Sequence, residues 1–158
     1  SSVHAYRMSS ESVAEQIRDL SHPNLVKYEG YTLRNGSKLA VLELIDGGTL
    51  SSFLTEFGPF NETLIRKYMK QLVDALLYLK SKNIAQGGAL LESTLDLNGN
   101  IKLTLPRFKS TGVDDQHRYL YWSAPEIVIG GQPTEKSDVW SLGCTMIEML
   151  TGRNPWGE

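Results

Sequence analysis

The sequence predicts an α+β fold, with antiparallel strands and one helix in its first part and mainly helices in the rest. Three patterns support this prediction. Strand-forming segments at 26–33 and 38–44 flank Arg34-Asn35-Gly36-Ser37, a sequence typical of a tight hairpin. Apolar residues recur at helical spacing between Glu62 and Ser81. Residues 137–150 are apolar nearly all round, which predicts a buried helix.

Length, charge and cysteine content limit the kind of protein. The chain has 158 residues, enough for one domain with a real core. A formal net charge of −2 provides no basic surface for nucleic acid or an anionic membrane. Cys144 is the single cysteine, which excludes an internal disulfide, and three scattered histidines do not suggest a metal site. Because no signal peptide or membrane span is recognisable, we expect a cytoplasmic protein.

Helix start and stop signals divide the chain further. Residues 3–8 fit a short strand, and Ser12 with Glu15 fits a capping box that begins a helix from Ser12 to Leu20. A second helix is predicted from Leu50 to Phe57, followed by Gly58-Pro59. Asn61 is predicted to cap the next helix, whose core-facing residues are Leu64, Tyr68, Leu72, Leu76 and Leu79.

A second hairpin lies near the middle of the chain. Leu95-Asp96-Leu97 and Ile101-Lys102-Leu103 alternate as strands do, and Asn98-Gly99 between them is a strong turn signal. A long helix precedes this hairpin, and Ala124-Pro125-Glu126 and then Lys136-Ser137-Asp138-Val139-Trp140 follow it. This order resembles the catalytic loop, magnesium-loop hairpin and activation segment of a protein kinase. The motifs are most similar to those of mitogen-activated protein kinase kinase kinases.

The resemblance implies a protein kinase-like fold that is partial at both ends. Residues 1–45 would be a remnant of the small lobe, with antiparallel strands and one helix. Residues 46–158 would be the first part of the mainly helical large lobe. The glycine-rich phosphate loop and the last large-lobe helices have no counterpart in the sequence.

The positions that carry kinase chemistry have different residues in this chain. Ala85-Gln86-Gly87 stands in place of the family's His-Arg-Asp, Ala89 in place of the following lysine, Glu92 in place of the magnesium-binding asparagine, and Leu105-Pro106-Arg107 in place of Asp-Phe-Gly. Gly87 has no side chain that could accept a proton. From these replacements we expect that the chain is not an enzyme and that it uses neither ATP nor magnesium.

Other positions of the nucleotide site would be vestigial. Glu43, Leu44 and Ile45 correspond to the hinge, the segment that binds adenine in the family, and no residue here is expected to bind a cofactor. Arg7 corresponds to the ATP-binding lysine, although an edge strand with a solvated arginine explains it equally well.

The structural residues implied by the resemblance lie near the end of the chain. Asp138 corresponds to the aspartate that holds the catalytic-loop backbone, although it could also act as a first-turn partner of the helix dipole. Pro125, Glu126 and Trp140 match further motif positions, and the arginine that pairs with Glu126 in the family belongs to helices beyond this sequence. Ser110 and Thr111, in the loop 108–123, are candidate phosphorylation sites.

Three functions are compatible with this pattern. The leading hypothesis is a catalytically inactive kinase-like module that acts as a regulator or scaffold of a signalling pathway by binding another protein, for example an active kinase. The second is a weak or unorthodox serine/threonine kinase that uses Glu92 and a metal. The third is a nucleotide-responsive switch without catalysis. The sequence leaves the oligomeric state open.

Overall fold

The computed structural model describes residues 3–7, 11–88, 90–105 and 120–157, with backbone only for residues 3–7 and 11–14. The elements, in chain order, are β1 (Val3–Arg7), α1 (Glu11–Arg18), β2 (Tyr28–Arg34), β3 (Ser37–Glu43), α2 (Leu50–Phe57), α3 (Glu62–Ser81), a 3₁₀ turn (Leu90–Glu92), β4 (Thr94–Leu95), β5 (Ile101–Lys102), α4 (Pro125–Val128) and α5 (Glu135–Thr151). None of the helices in these ranges is long and apolar enough to cross a bilayer.

The three longer strands form an antiparallel sheet in the order β1-β3-β2. Arg34 pairs with Ser37 across the turn between β2 and β3. The two turn residues, Asn35 and Gly36, have φ angles of 50° and 76°, and positive φ at both positions is typical of a type I′ turn. The predicted hairpin is confirmed, as is the α+β class.

The predicted start of α1 is wrong. The helix begins at Glu11, so Ser12 lies inside it. A residue that caps a helix has extended backbone angles and precedes the first helical residue. Ser12 therefore cannot be the N-cap of the predicted capping box.

The predicted bounds of α2 and α3 are confirmed. Asn61 caps α3, because its Oδ1 accepts a hydrogen bond from the backbone N–H of Leu64 at 2.9 Å. The core-facing side of α3 is rotated slightly from the predicted stripe, since Leu64 and Leu76 are half-buried. The buried residues of α3 are Ile65, Tyr68, Leu72, Ala75 and Leu79.

The second hairpin forms, but its loop is longer than predicted. Leu95 pairs with Ile101, so residues 96–100 form the connection, whereas the predicted strands left only residues 98–100 between them. The Oδ1 atom of Asp96 accepts the backbone N–H groups of Asn98 and Asn100, both at 2.9 Å. The carboxylate stabilises the wider loop, and the hydrogen bonds it accepts, first that from Asn100, hold the pKa of Asp96 below its usual value.

The prediction that α5 is buried all round is wrong. Val139 is 66% exposed and Leu150 is 51% exposed. The inward face instead consists of small or polar residues together with Met149, namely Ser137, Asp138, Ser141, Cys144, Thr145 and Met149. The predicted end of the helix is confirmed, since Gly152 adopts the left-handed conformation at its C-terminus.

The segment after α1 attaches the N-terminal sheet to β5. The carbonyl of Asn24 accepts the N–H of Leu103 at 2.8 Å, and the N–H of Val26 donates to the carbonyl of Leu103 at 2.9 Å. The buried side chain of Asn24 donates from Nδ2 to the carbonyl of Ile101 at 3.0 Å. These bonds fix the sheet beside residues 101–105. The division of the chain after residue 45 stays a prediction.

Candidate active site

The loop 84–88, which follows α3, is held in place by Asp138 in the first turn of α5. Asp138 Oδ2 accepts the backbone N–H of Gln86 at 2.8 Å, and its Oδ1 accepts the N–H of Gly87 at 2.9 Å. Asp138 is only 5% exposed. Burial raises the pKa of its carboxyl above the usual value, and the two N–H groups oppose that shift. Both carboxylate oxygens therefore serve to fix the loop backbone.

Gln86 has a role that the sequence analysis missed. Its side chain is buried, donates from Nε2 to the carbonyl of Thr104 at 3.0 Å and accepts the N–H of Gly88 at 2.7 Å. One amide thus connects the loop 84–88 to residues 101–105. The signal in the sequence is that a glutamine carries a donor and an acceptor on one side chain, whereas the family resemblance identifies Gln86 only as the replacement of an arginine.

Gly87 occupies a position that is closed to larger residues. Its φ angle is +71°, and a Cβ atom built there would lie 2.9 Å from Cβ and Cγ of Pro133. Pro133 belongs to the connection before α5. Neighbouring Ala85 is half-buried. The proton acceptor of a kinase reaction would therefore have to come from outside residues 85–87.

The metal-binding positions of the family do not form a metal site from the residues that the structure describes. Leu105 is buried and apolar, and Glu92 is a half-buried residue at the end of the 3₁₀ turn. No group of three or more His, Cys, Asp or Glu side chains in the described ranges could hold a metal ion. The described residues therefore do not fit a magnesium site of the family's kind. Ala89, Pro106, Arg107, Ser110 and Thr111 lie outside the described residues.

Among the hinge residues, Glu43 is fixed by contacts with neighbouring strands. The N–H of Glu43 donates to the carbonyl of Lys27 at 2.9 Å, and Glu43 Oε1 accepts the N–H of Lys27 at 3.0 Å. The same carboxylate lies 3.5 Å from Nζ of Lys102, which links β3 to β5. Leu44 and Ile45 are half-buried and make no hydrogen bond to another described residue.

The remaining site residues lie at the edges of this region. Arg7 ends β1 opposite Leu39, and its side chain lies outside the described part. Pro125 is the first residue of α4, where a missing N–H costs nothing, and Glu126 is exposed to solvent. Trp140 stacks on Trp156 with ring centroids 6.2 Å apart.

Comparison with known proteins identifies relatives along almost the whole chain. The protein kinase domain family matches residues 6–87 and 99–158. Mitogen-activated protein kinase kinase kinase ANP1 of Arabidopsis thaliana is 34% identical over 98% of this chain, which spans 24% of that protein. Serine/threonine-protein kinase STE11 of Saccharomyces cerevisiae is 33% identical over 90% of this chain, which spans 21% of it. Cytokinesis protein sepH of Emericella nidulans is 36% identical over 89% of the chain, which spans 11% of it.

These relatives overturn two expectations drawn from the replaced side chains. We expected a protein that is not an enzyme, but the relatives at about 34% identity are named as kinases, which points to enzyme activity. We also expected no cofactor, but kinases transfer phosphate from ATP with magnesium. Both expectations gave too much weight to individual side chains. The kinase-like fold itself is confirmed, and this chain belongs to the protein kinase domain family, with relatives among the mitogen-activated protein kinase kinase kinases.

Proposed function

We propose that this chain is part of a serine/threonine kinase of the mitogen-activated protein kinase kinase kinase type, which binds ATP at the hinge and phosphorylates another protein. The observation that carries the proposal is the loop 84–88, whose backbone Asp138 holds with two hydrogen bonds. Catalysis of phosphoryl transfer depends mainly on positioning and on stabilising charge. A loop fixed at this point supplies the positioning. The identities of 33–36% to the named kinases support the same reaction class.

The adenine end of the nucleotide site fits the residues present. Leu44 and Ile45 offer backbone groups, and the side chain of Leu42 is buried beside them. Gly47 follows closely, and a Cβ atom there would overlap the carbonyl of Leu95. The linker after the hinge thus packs directly on β4, which fixes the hinge without a side chain in the way. When bound, ATP would supply the phosphoryl group.

The first test of the proposal is stabilisation of the folded protein by nucleotide. We expect MgATP to raise the melting temperature, because a ligand present at about 100 times its Kd stabilises the native state by about 2.7 kcal/mol. Ile45→Pro removes one hinge N–H and should abolish the rise, and MgGTP should produce a smaller one. Differential scanning fluorimetry measures all three. No rise with MgATP would contradict the proposal.

Transfer of phosphate is the second measurement on the same samples. Purified protein with γ-labelled ATP and a serine/threonine-rich protein substrate should incorporate label into that substrate, and Ile45→Pro should not. Because Gly87 offers no proton acceptor, we expect slow turnover. If MgATP stabilises the protein but no label is transferred, nucleotide binding stands and phosphoryl transfer by this chain does not.

A second candidate function is regulation or scaffolding of a signalling pathway by binding another protein. Gly87 favours this function, because it lacks the proton acceptor that phosphoryl transfer needs, whereas binding of another protein by the helices α2 to α5 needs no side chain at that position. The expected result is that photo-crosslinking in cell extract recovers one protein kinase from this chain and not from a matched unrelated kinase domain. Failure to recover a specific partner would contradict this function. The cytoplasmic location, and a protein partner rather than nucleic acid or membrane, stay predictions.

A further inference from the structure

The strand β2 forms an open edge of the three-stranded sheet. In the order β1-β3-β2 it has a neighbour on one side among the described residues. Its residues 31–34 are exposed on both faces. Tyr31 is 58% exposed and Leu33 is 67% exposed, and both point to the same face because side chains alternate along a strand. An exposed strand edge with apolar side chains can pair with another strand.

The hairpin geometry fixes which backbone groups of β2 are free. A two-residue turn is closed by a hydrogen-bonded pair, which here is Arg34 with Ser37. Hydrogen-bonded and non-hydrogen-bonded pairs alternate, so Thr32 also bonds to β3. The N–H and carbonyl groups of Tyr31 and Leu33 therefore point away from β3. No hydrogen bond joins these groups to another described residue.

We propose that β2 pairs antiparallel with β2 of a second copy of this chain, with Thr32 on the two-fold axis. In this register Leu33 of each copy lies opposite Tyr31 of the other, and each such pair exchanges two backbone hydrogen bonds. This register is allowed because the outward-pointing N–H and carbonyl groups of Tyr31 in one copy face those of Leu33 in the other. All four exposed apolar side chains then meet on one face as cross-strand pairs. A two-fold contact of this kind uses the same surface on both copies.

The charged side chains along β2 are compatible with pairing to a second copy of β2. In this register Arg34 of one copy lies opposite Gly30 of the other, next to Glu29 in the β-bulge between Tyr28 and Gly30, while the two Arg34 residues lie at opposite ends. Glu29 also contacts Lys27 at 3.4 Å, but this pair is exposed, with side-chain exposures of 38% and 65%. Exposed pairs of this kind contribute little and do not prevent a second contact. The opposite charges therefore attract at both ends of the contact.

The size of the contact predicts a weak dimer. Specific stable interfaces bury about 1,200–2,000 Å² in total, and two short strands with four apolar side chains cover less than that. The dimer is therefore concentration-dependent and forms where a larger protein or a signalling assembly raises the local concentration. This inference concerns assembly and does not depend on nucleotide binding or phosphoryl transfer.

A cysteine on the two-fold axis tests the register directly. Opposite residues in a non-hydrogen-bonded pair have Cα atoms about 4.5 Å apart, within the range of about 4.4–6.8 Å that a disulfide requires. Thr32→Cys should therefore crosslink two copies in a glutathione redox buffer. The control is Arg34→Cys on the same exposed strand, tested at a concentration where sedimentation shows that this variant is dimeric, because its two cysteines would lie four residues apart, about 13 Å. The native Cys144 is 7% exposed and does not compete.

Sedimentation velocity across a concentration series completes the experiment. The unmodified chain should shift towards dimer as concentration rises, and Leu33→Lys should weaken dimerisation by at least about tenfold, because the symmetric dimer loses the same contact twice. Circular dichroism verifies that each variant folds. The proposal is overturned if the chain stays monomeric at all concentrations, if Leu33→Lys leaves the dimer unchanged, or if Arg34→Cys crosslinks as readily as Thr32→Cys.

Discussion

Replacing Asp138 with alanine is expected to lower the free energy of unfolding by about 2–4 kcal/mol, because two backbone N–H groups lose their acceptor and each unsatisfied buried group costs about 1–3 kcal/mol. The N–H of Gln86 lies in the interior, whereas Gly87 is exposed and its N–H can gain a water. Chemical denaturation measures the loss. Hydrogen exchange at the Gln86 and Gly87 amides should also accelerate, because these groups donate to the carboxylate.

Glu135 provides a matched control for this prediction. It is also an acid in the first turn of α5, but its side chain is 51% exposed and pairs with Lys80 at 3.0 Å. Glu135→Gln should cost less than about 1 kcal/mol, as is usual for an exposed ion pair. If Asp138→Ala and Glu135→Gln cost the same, Asp138 acts as a partner of the helix dipole and the loop does not depend on it.

The raised pKa of Asp138 gives this prediction a dependence on pH. Burial raises the pKa of the carboxyl in the folded state above its unfolded value, so the folded state binds a proton more tightly. Stability contributed by this group is therefore greatest below the unfolded pKa and falls as pH rises through the window up to the folded pKa. The other charged residues that line the groove beside Asp138, between α3 and α5, are Lys80, Glu135 and Lys136. Asp138→Asn should remove this fall from the pH profile of unfolding.

Sequence patterns predicted the structure correctly where neighbouring residues alone determine it. Asn61 and the apolar residues of α3 determined that helix correctly at both ends, because capping and helical periodicity are local properties. The same was true of the type I′ turn at Asn35-Gly36. In each case the side chains that decide the structure lie within one element. Helix bounds and turn types of this sort can therefore be predicted without knowledge of tertiary contacts.

Sequence patterns did not predict the structure where contacts with residues distant in the chain determine it. The face of α5 that packs inward is set by hydrogen bonds such as Ser141 Oγ to the carbonyl of Trp122 at 2.8 Å, which hydrophobicity does not reveal. The loop 96–100 is longer than its Asn98-Gly99 signal because the Asp96 carboxylate binds two N–H groups. At the site, residue-by-residue replacement suggested loss of function, while the bonds that Gln86 and Asp138 make to the loop were visible only in three dimensions.

Gly87→Ala is expected to destabilise the protein by about 2–5 kcal/mol, for two separable reasons. The left-handed conformation costs a residue with a Cβ atom about 1–2 kcal/mol, and the contact at 2.9 Å with Pro133 adds an overpacking cost of about 1–3 kcal/mol. Urea unfolding followed by fluorescence measures the sum. Gly87→Asp meets the same obstacle with a larger side chain, so a carboxylate at position 87 requires Pro133 to move.

Gly99 separates the two contributions. Its φ angle is also +71°, but a Cβ atom there would meet only the flexible end of Lys67, at 3.5 Å. Gly99→Ala should therefore cost only the backbone part, about 1–2 kcal/mol. The difference between the two variants reports the contact with Pro133. If Gly87→Ala costs no more than Gly99→Ala, the connection before α5 moves freely, and position 87 accepts a side chain that the structure excludes.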